Sequence, residues 1–134
     1  MDEFDRLTAI RRCAGPLADR IEFIPDAPSS LMDQMSCGIF FVMAFWSGPA
    51  VQAFQRLVDV VHRLDSTGRL RVVVADTDDI PHLHNSPPFI DILGGYGETL
   101  WIKDGQIIAH SGRGLNLECI EPNTVALLDV CKAP

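Results

Sequence analysis

The strongest constraint on this chain is the stretch "GIFFVMAFW" at 38–46, an apolar run that passes directly into an amphipathic segment and then into a second β-branched run. An unbroken apolar strand of this length suits the middle of a sheet covered on both faces. The segment after it places Val51, Phe54, Leu57, Val58, Val61 and Leu64 on one helical face. Gln52, Gln55, Arg56, Asp59 and Arg63 fall on the other, which is the pattern of a helix of about four turns. "STG" closes that helix, with Gly68 as its stop. "RLRVVVAD" at 69–76 then reads as another buried strand. Strand, helix, strand in this order predicts a parallel pair joined by a right-handed crossover.

The flanking segments add to this unit. Phe4, Leu7, Ile10 and Ala14 recur at helical spacing, so a first helix is expected over 3–14, ended by Gly15-Pro16. "RIEFI" at 20–24 reads as a short strand. "SSLMDQM" has room for one or two helical turns capped by Ser29 or Ser30. The Pro- and Gly-rich stretch 77–98 predicts one short helix and a long loop. "TLWIKDGQIIAH" predicts a β-hairpin turning at Asp104-Gly105. A last helix is expected in "EPNTVALLDVCKA", with Pro122 in its first turn.

A length of 134 residues suggests one domain, with an N-terminal helix at 3–14 and a core over 20–134. The net charge of −7 opposes binding to nucleic acid or anionic lipid, whose phosphates would repel it. The N-terminus "MDEFDRLTAIRRC" has acids where a signal peptide carries bases. The longest apolar run is about half the roughly 20 residues of a membrane span. The expectation is a soluble, cytoplasmic protein. Cys13, Cys37, Cys119 and Cys131 form no C-x-x-C pair and match no zinc spacing. They read as four reduced, mostly buried thiols.

The residues after the central strand, "FWSGPAVQAFQRL" at 45–57, carry a resemblance. "FW" followed by "SGPA" resembles the Cys-Gly-Pro-Cys loop of the thioredoxin-like superfamily. "VVVADTDD" resembles the acid-ended strand after that family's active-site helix, and "GETLWIKDGQIIAHSGRG" resembles its hairpin. The resemblance covers about 90 residues. It implies an α/β, thioredoxin-like fold: a mixed four- to five-stranded sheet flanked by helices.

The departures from the family matter as much. Ser47 stands where the nucleophilic Cys would be and Ala50 where the resolving Cys would be. A serine hydroxyl is far too weak an acid for a helix N-terminus to ionise it near neutral pH. The family's proton-transfer carboxylate is replaced by Phe41 or Ala44, depending on alignment. Its cis-proline is replaced by Glu98, with Gly97-Glu98 expected to be trans.

The loop Trp46, Ser47, Gly48, Pro49, Ala50 therefore reads as a vestigial active site, with no catalytic residue and no cofactor. Ser47 is expected to cap the helix rather than act as a nucleophile. Trp46 either contacts a partner or packs over the helix. Glu98 either faces the helix N-terminus or lies in solvent, the ordinary place for a loop glutamate. His82, His84, His110 and Cys119 read as polar surface rather than as a metal site.

The resemblance implies a partner groove formed by Trp46, Tyr96, Gly97, Glu98, Thr99 and Arg113. The expected function is a non-catalytic binding or accessory module whose partner is another protein. The alternative is a thiol-disulfide oxidoreductase or peroxide-handling enzyme using a relocated cysteine such as Cys37. A third reading is a small-molecule carrier using the groove between Trp46 and the 86–98 loop.

Overall fold

The computed structural model describes residues 1–112 and 116–131. Helix α1 spans Glu3–Ala14, and the Asp2 carboxylate caps it by accepting the Asp5 N–H. A 3-10 turn at Gly15–Arg20 leads into strand β1, Ile21–Phe23. After a second 3-10 segment, Ser29–Gln34, come strand β2, Cys37–Met43, and helix α2, Gly48–Leu64. Strand β3 is Arg71–Asp76. The Pro-rich stretch holds the short helix α3, Pro81–His84, between 3-10 turns. Strands β4, Glu98–Lys103, and β5, Gln106–His110, form the hairpin, and helix α4, Ile120–Val130, follows.

The sheet has five strands in the order β1-β3-β2-β4-β5. The pair β2·β3 is parallel, as the strand–helix–strand order predicts; β1·β3 is parallel as well, while β2·β4 and β4·β5 are antiparallel. Alternate residues of each strand face opposite layers. Ile39, Phe41, Met43, Val72, Val74 and Trp101 pack toward α1, α2 and α4. Phe40, Val42, Val73, Leu100 and Ile102 pack toward α3 and the 3-10 turns. A one-residue bulge interrupts the hairpin: Trp101 pairs with Ala109 and Ile102 with Ile107, so Ile108 is the extra residue.

Three polar ties fix the layers. The fully buried Asp65 carboxylate ends α2, accepting the Arg69 and Leu70 N–H groups at 2.9 Å each and pairing with Arg20. The Trp101 indole N–H donates to Thr124 Oγ1 at 3.0 Å and binds α4 to β4. Arg6 of α1 pairs with Asp76 and Asp79 just past β3, at 2.7 and 2.6 Å.

The expectation of four reduced thiols is corrected here. Cys37 and Cys131 form a disulfide, while Cys13 and Cys119 are free. The first residue of β2 and the residue after α4 meet because α4 packs across β4, the neighbour of β2. No described helix is long and apolar enough to cross a membrane.

Candidate functional site

The site begins where β2 ends. The strand leaves the core through Ala44 and Phe45, and the Ser47 N–H donates back to the Ala44 carbonyl at 3.0 Å. This tight turn aims the backbone into α2. Ser47 has extended dihedrals, and its Oγ accepts the Ala50 N–H at 3.4 Å, the arrangement of an N-cap. Pro49 sits in the first helical turn, where its missing N–H costs nothing. The expected capping role of Ser47 is what the structure has. Gly48 and Pro49 are exposed, whereas Ala50 is buried. Trp46 does not pack over the helix: it is 64% exposed.

The second loop closes onto the first. Gly97 has φ +97, and a Cβ placed on it would lie 2.7 Å from both Cα and Cβ of Ala50. Only glycine permits this approach together with this dihedral. The loop backbone therefore rests directly on Ala50, in the first turn of α2. The Gly97–Glu98 peptide is trans, and the one cis bond among the described residues is Pro87–Pro88.

Glu98 departs from the reading of a solvated loop carboxylate. It is 0% exposed. Its Oε1 accepts the N–H groups of Gly94 and Gly95 at 3.0 Å each, and its Oε2 accepts that of Tyr96 at 2.9 Å. The loop folds around its own carboxylate, which supplies the charge with donors inside the protein. Burial pushes the Glu98 carboxyl above its ordinary range, while the Tyr96, Gly95 and Gly94 N–H groups and nearby His84 pull it the other way. A raised carboxyl binds its proton more tightly in the native state than in the unfolded chain. Stability is then highest below the unfolded value and declines as pH rises through the native value. Urea midpoints between about pH 4 and pH 8 should show the wild type losing stability relative to Glu98→Gln as pH rises. A wild-type gain over that range would reverse the assignment.

Of the other expected groove residues, Thr99 is buried, and its N–H and C=O bond to Ser111 Oγ and N–H at 3.0 Å. Tyr96 is 46% exposed. Arg113 lies outside the described residues. The structure thus brings Ser47, Ala50, Gly97 and Glu98 together as a closed, buried seam. Trp46 and Tyr96 remain open to solvent.

The remaining histidines are occupied locally. His82 Nε2 lies 2.8 Å from the Ala27 carbonyl, His84 Nε2 lies 2.9 Å from Thr77 Oγ1, and His110 Nδ1 accepts the Gly112 N–H. Among the described residues no group of three or more His, Cys, Asp or Glu has metal-holding geometry. Cys37, the candidate relocated thiol, sits at the opposite end of β2 from Ser47, bonded to Cys131, with Lys103 Nζ 3.8 Å from its sulfur.

No protein-family model matches the chain, and no curated protein sequence is similar to it. A solved structure is similar in shape: a chain in the structure describing the thiol resolving mechanism in yeast mitochondrial 1-Cys peroxiredoxin via glutathione/thioredoxin systems. The match has a TM-score of 0.57 and 19% identity, and it covers 79% of this chain and 94% of that one. The fold is thioredoxin-like. At that identity the likeness concerns the path of the backbone and carries no activity with it.

Proposed function

We propose that this chain is a redox-inactive thioredoxin-like module that binds another protein. The observation that carries the reading is the seat of Gly97 on Ala50. The 94–97 loop is packed against Ala50 at the start of α2, which supports a loop used as structure rather than as a site of exchange. Ser47 Oγ is engaged as a helix cap, and neither 47 nor 50 bears a thiol. The exposed indole of Trp46 and ring of Tyr96 flank that seam, and aromatics of this kind anchor protein interfaces.

The expected result in an insulin-reduction assay with dithiothreitol is a rate no higher than that of the free reductant. Turnover that survives replacement of Cys13, Cys37, Cys119 and Cys131 by serine would overturn the proposal.

A second reading is favoured by one observation, the Cys37–Cys131 bridge beside Lys103. It is thiol exchange or peroxide handling at the far end of β2. Its signature is disulfide or peroxide turnover that disappears in Cys37→Ser and persists in Ser47→Ala.

A further inference from the structure

We propose that the partner presents a basic segment, at least two Lys or Arg beside an apolar residue, to the face on which Trp46 stands. This deepens the protein-binding reading above and rests on it. The parallel strands β1, β3 and β2 all deliver their C-terminal ends here, through Pro25-Asp26, Asp76 and Trp46. In open α/β sheets this end is where ligands lie. The N-terminal turn of α1 flanks it and contributes Glu3 and Arg6.

Two adjoining concavities occupy the face, of about 390 and 530 Å³, and they share Arg6, Asp78 and Asp79. The first has an apolar wall made of Phe45 and the open indole of Trp46. Its floor is braced, since Phe45 packs edge-on against Phe23 at 5.9 Å, and the Arg6 guanidinium lies 5.6 Å over the Phe23 ring.

The charge around this apolar wall selects the occupant. Glu3, Asp26, Asp76, Asp78 and Asp79 line the two concavities against two positive groups, the guanidinium of Arg6 and the α-amino group of Met1, which lines the first, so carboxylates remain in excess. Asp76 and Asp79 already neutralise Arg6. Glu3, Asp26 and Asp78 make no ion pair among the described residues. An anionic or neutral partner would leave those carboxylates uncompensated or pressed against like charge. A Lys or Arg side chain can meet a carboxylate and lay its stem or guanidinium on the Trp46 face.

The test uses the whole protein and two fluorescein-labelled ten-residue peptides, one alternating Arg with Leu and one alternating Glu with Leu. Anisotropy is read at low and physiological salt. The basic peptide should bind and the acidic peptide should not. Glu3→Gln/Asp26→Asn/Asp78→Asn should weaken binding about tenfold. Trp46→Ala should weaken it by about tenfold as well, even at physiological salt, where the charge contribution is screened. A control of equal net charge, Asp104→Asn/Glu118→Gln/Asp129→Asn, should stay within about twofold of wild type, since those residues lie outside both concavities. Circular dichroism checks that each variant is folded.

Equal weakening by the two triple variants would reduce the effect to bulk charge and overturn the site. Failure of the basic peptide to bind at about 1 mM, or equal binding of the acidic one, would overturn the partner class. The insulin assay is unaffected by either result, so the non-catalytic reading is tested separately.

Discussion

Cys131→Ser is expected to lower the unfolding free energy by about 4 to 5 kcal/mol in oxidising buffer. The bridge joins residues 94 apart in sequence, so it closes a loop spanning most of the chain. On the chain-entropy account, a crosslink over about 100 residues removes roughly that much freedom from the unfolded state. Domains of this size are stable by only about 5 to 15 kcal/mol, so the bridge decides much of the margin. Its loss should also loosen α4, which is tied to the sheet as well by the buried Thr124–Trp101 hydrogen bond. Denaturant curves of wild type with and without dithiothreitol, compared with the variant, measure the effect. The reduced wild type and Cys131→Ser should coincide. A difference under about 1 kcal/mol between oxidised wild type and variant would show that the bridge does not hold the fold.

Gly97→Ala is expected to cost about 3 kcal/mol or more, although it adds one methyl group. Two penalties combine. The dihedral, φ +97, is one that residues with a Cβ rarely adopt, and the added carbon would overlap Ala50. Neither neighbour yields readily. Ala50 belongs to the first turn of α2, and the loop is held by three N–H groups on Glu98. Gly48→Ala is the paired control: nothing lies within 4 Å of the added carbon and no positive φ is involved, so it should be close to neutral. Urea denaturation of the two variants separates the cases. A Gly97→Ala protein within about 1 kcal/mol of wild type would mean that the loop stands off Ala50 and the groove is open.

The fold was readable because its elements carry their own periods. The apolar run at 38–46 and the β-branched run at 69–76 bracket an amphipathic helix, and Asp104-Gly105 marks the hairpin. The cap at Ser47 was legible for the same reason, since a Ser before Gly-Pro at a helix start has a local job. Glu98 was not legible. Its burial depends on three backbone donors at 94–96, and a run of glycines does not announce which way its N–H groups will point. The Cys37–Cys131 pairing depends on topology, which alone brings the start of β2 to the end of α4. The acidic face is assembled from α1, the loop after β1 and the loop after β3, stretches whose separate sequences look like ordinary polar surface.

The bulge at Ile108 has a consequence for the chain in concentrated solution. β5 is an edge strand without a formal charge or proline, and Ile108 is 45% exposed on it, the kind of border at which sheets recruit further strands and aggregate. The extra residue breaks the even spacing of N–H and C=O groups along that border. An incoming strand would have to match an irregular row, so the sheet has a natural stopping point at its fifth strand. Deleting Ile108 would straighten the edge and remove that protection, trading one apolar side chain for a template on which copies of the chain could stack.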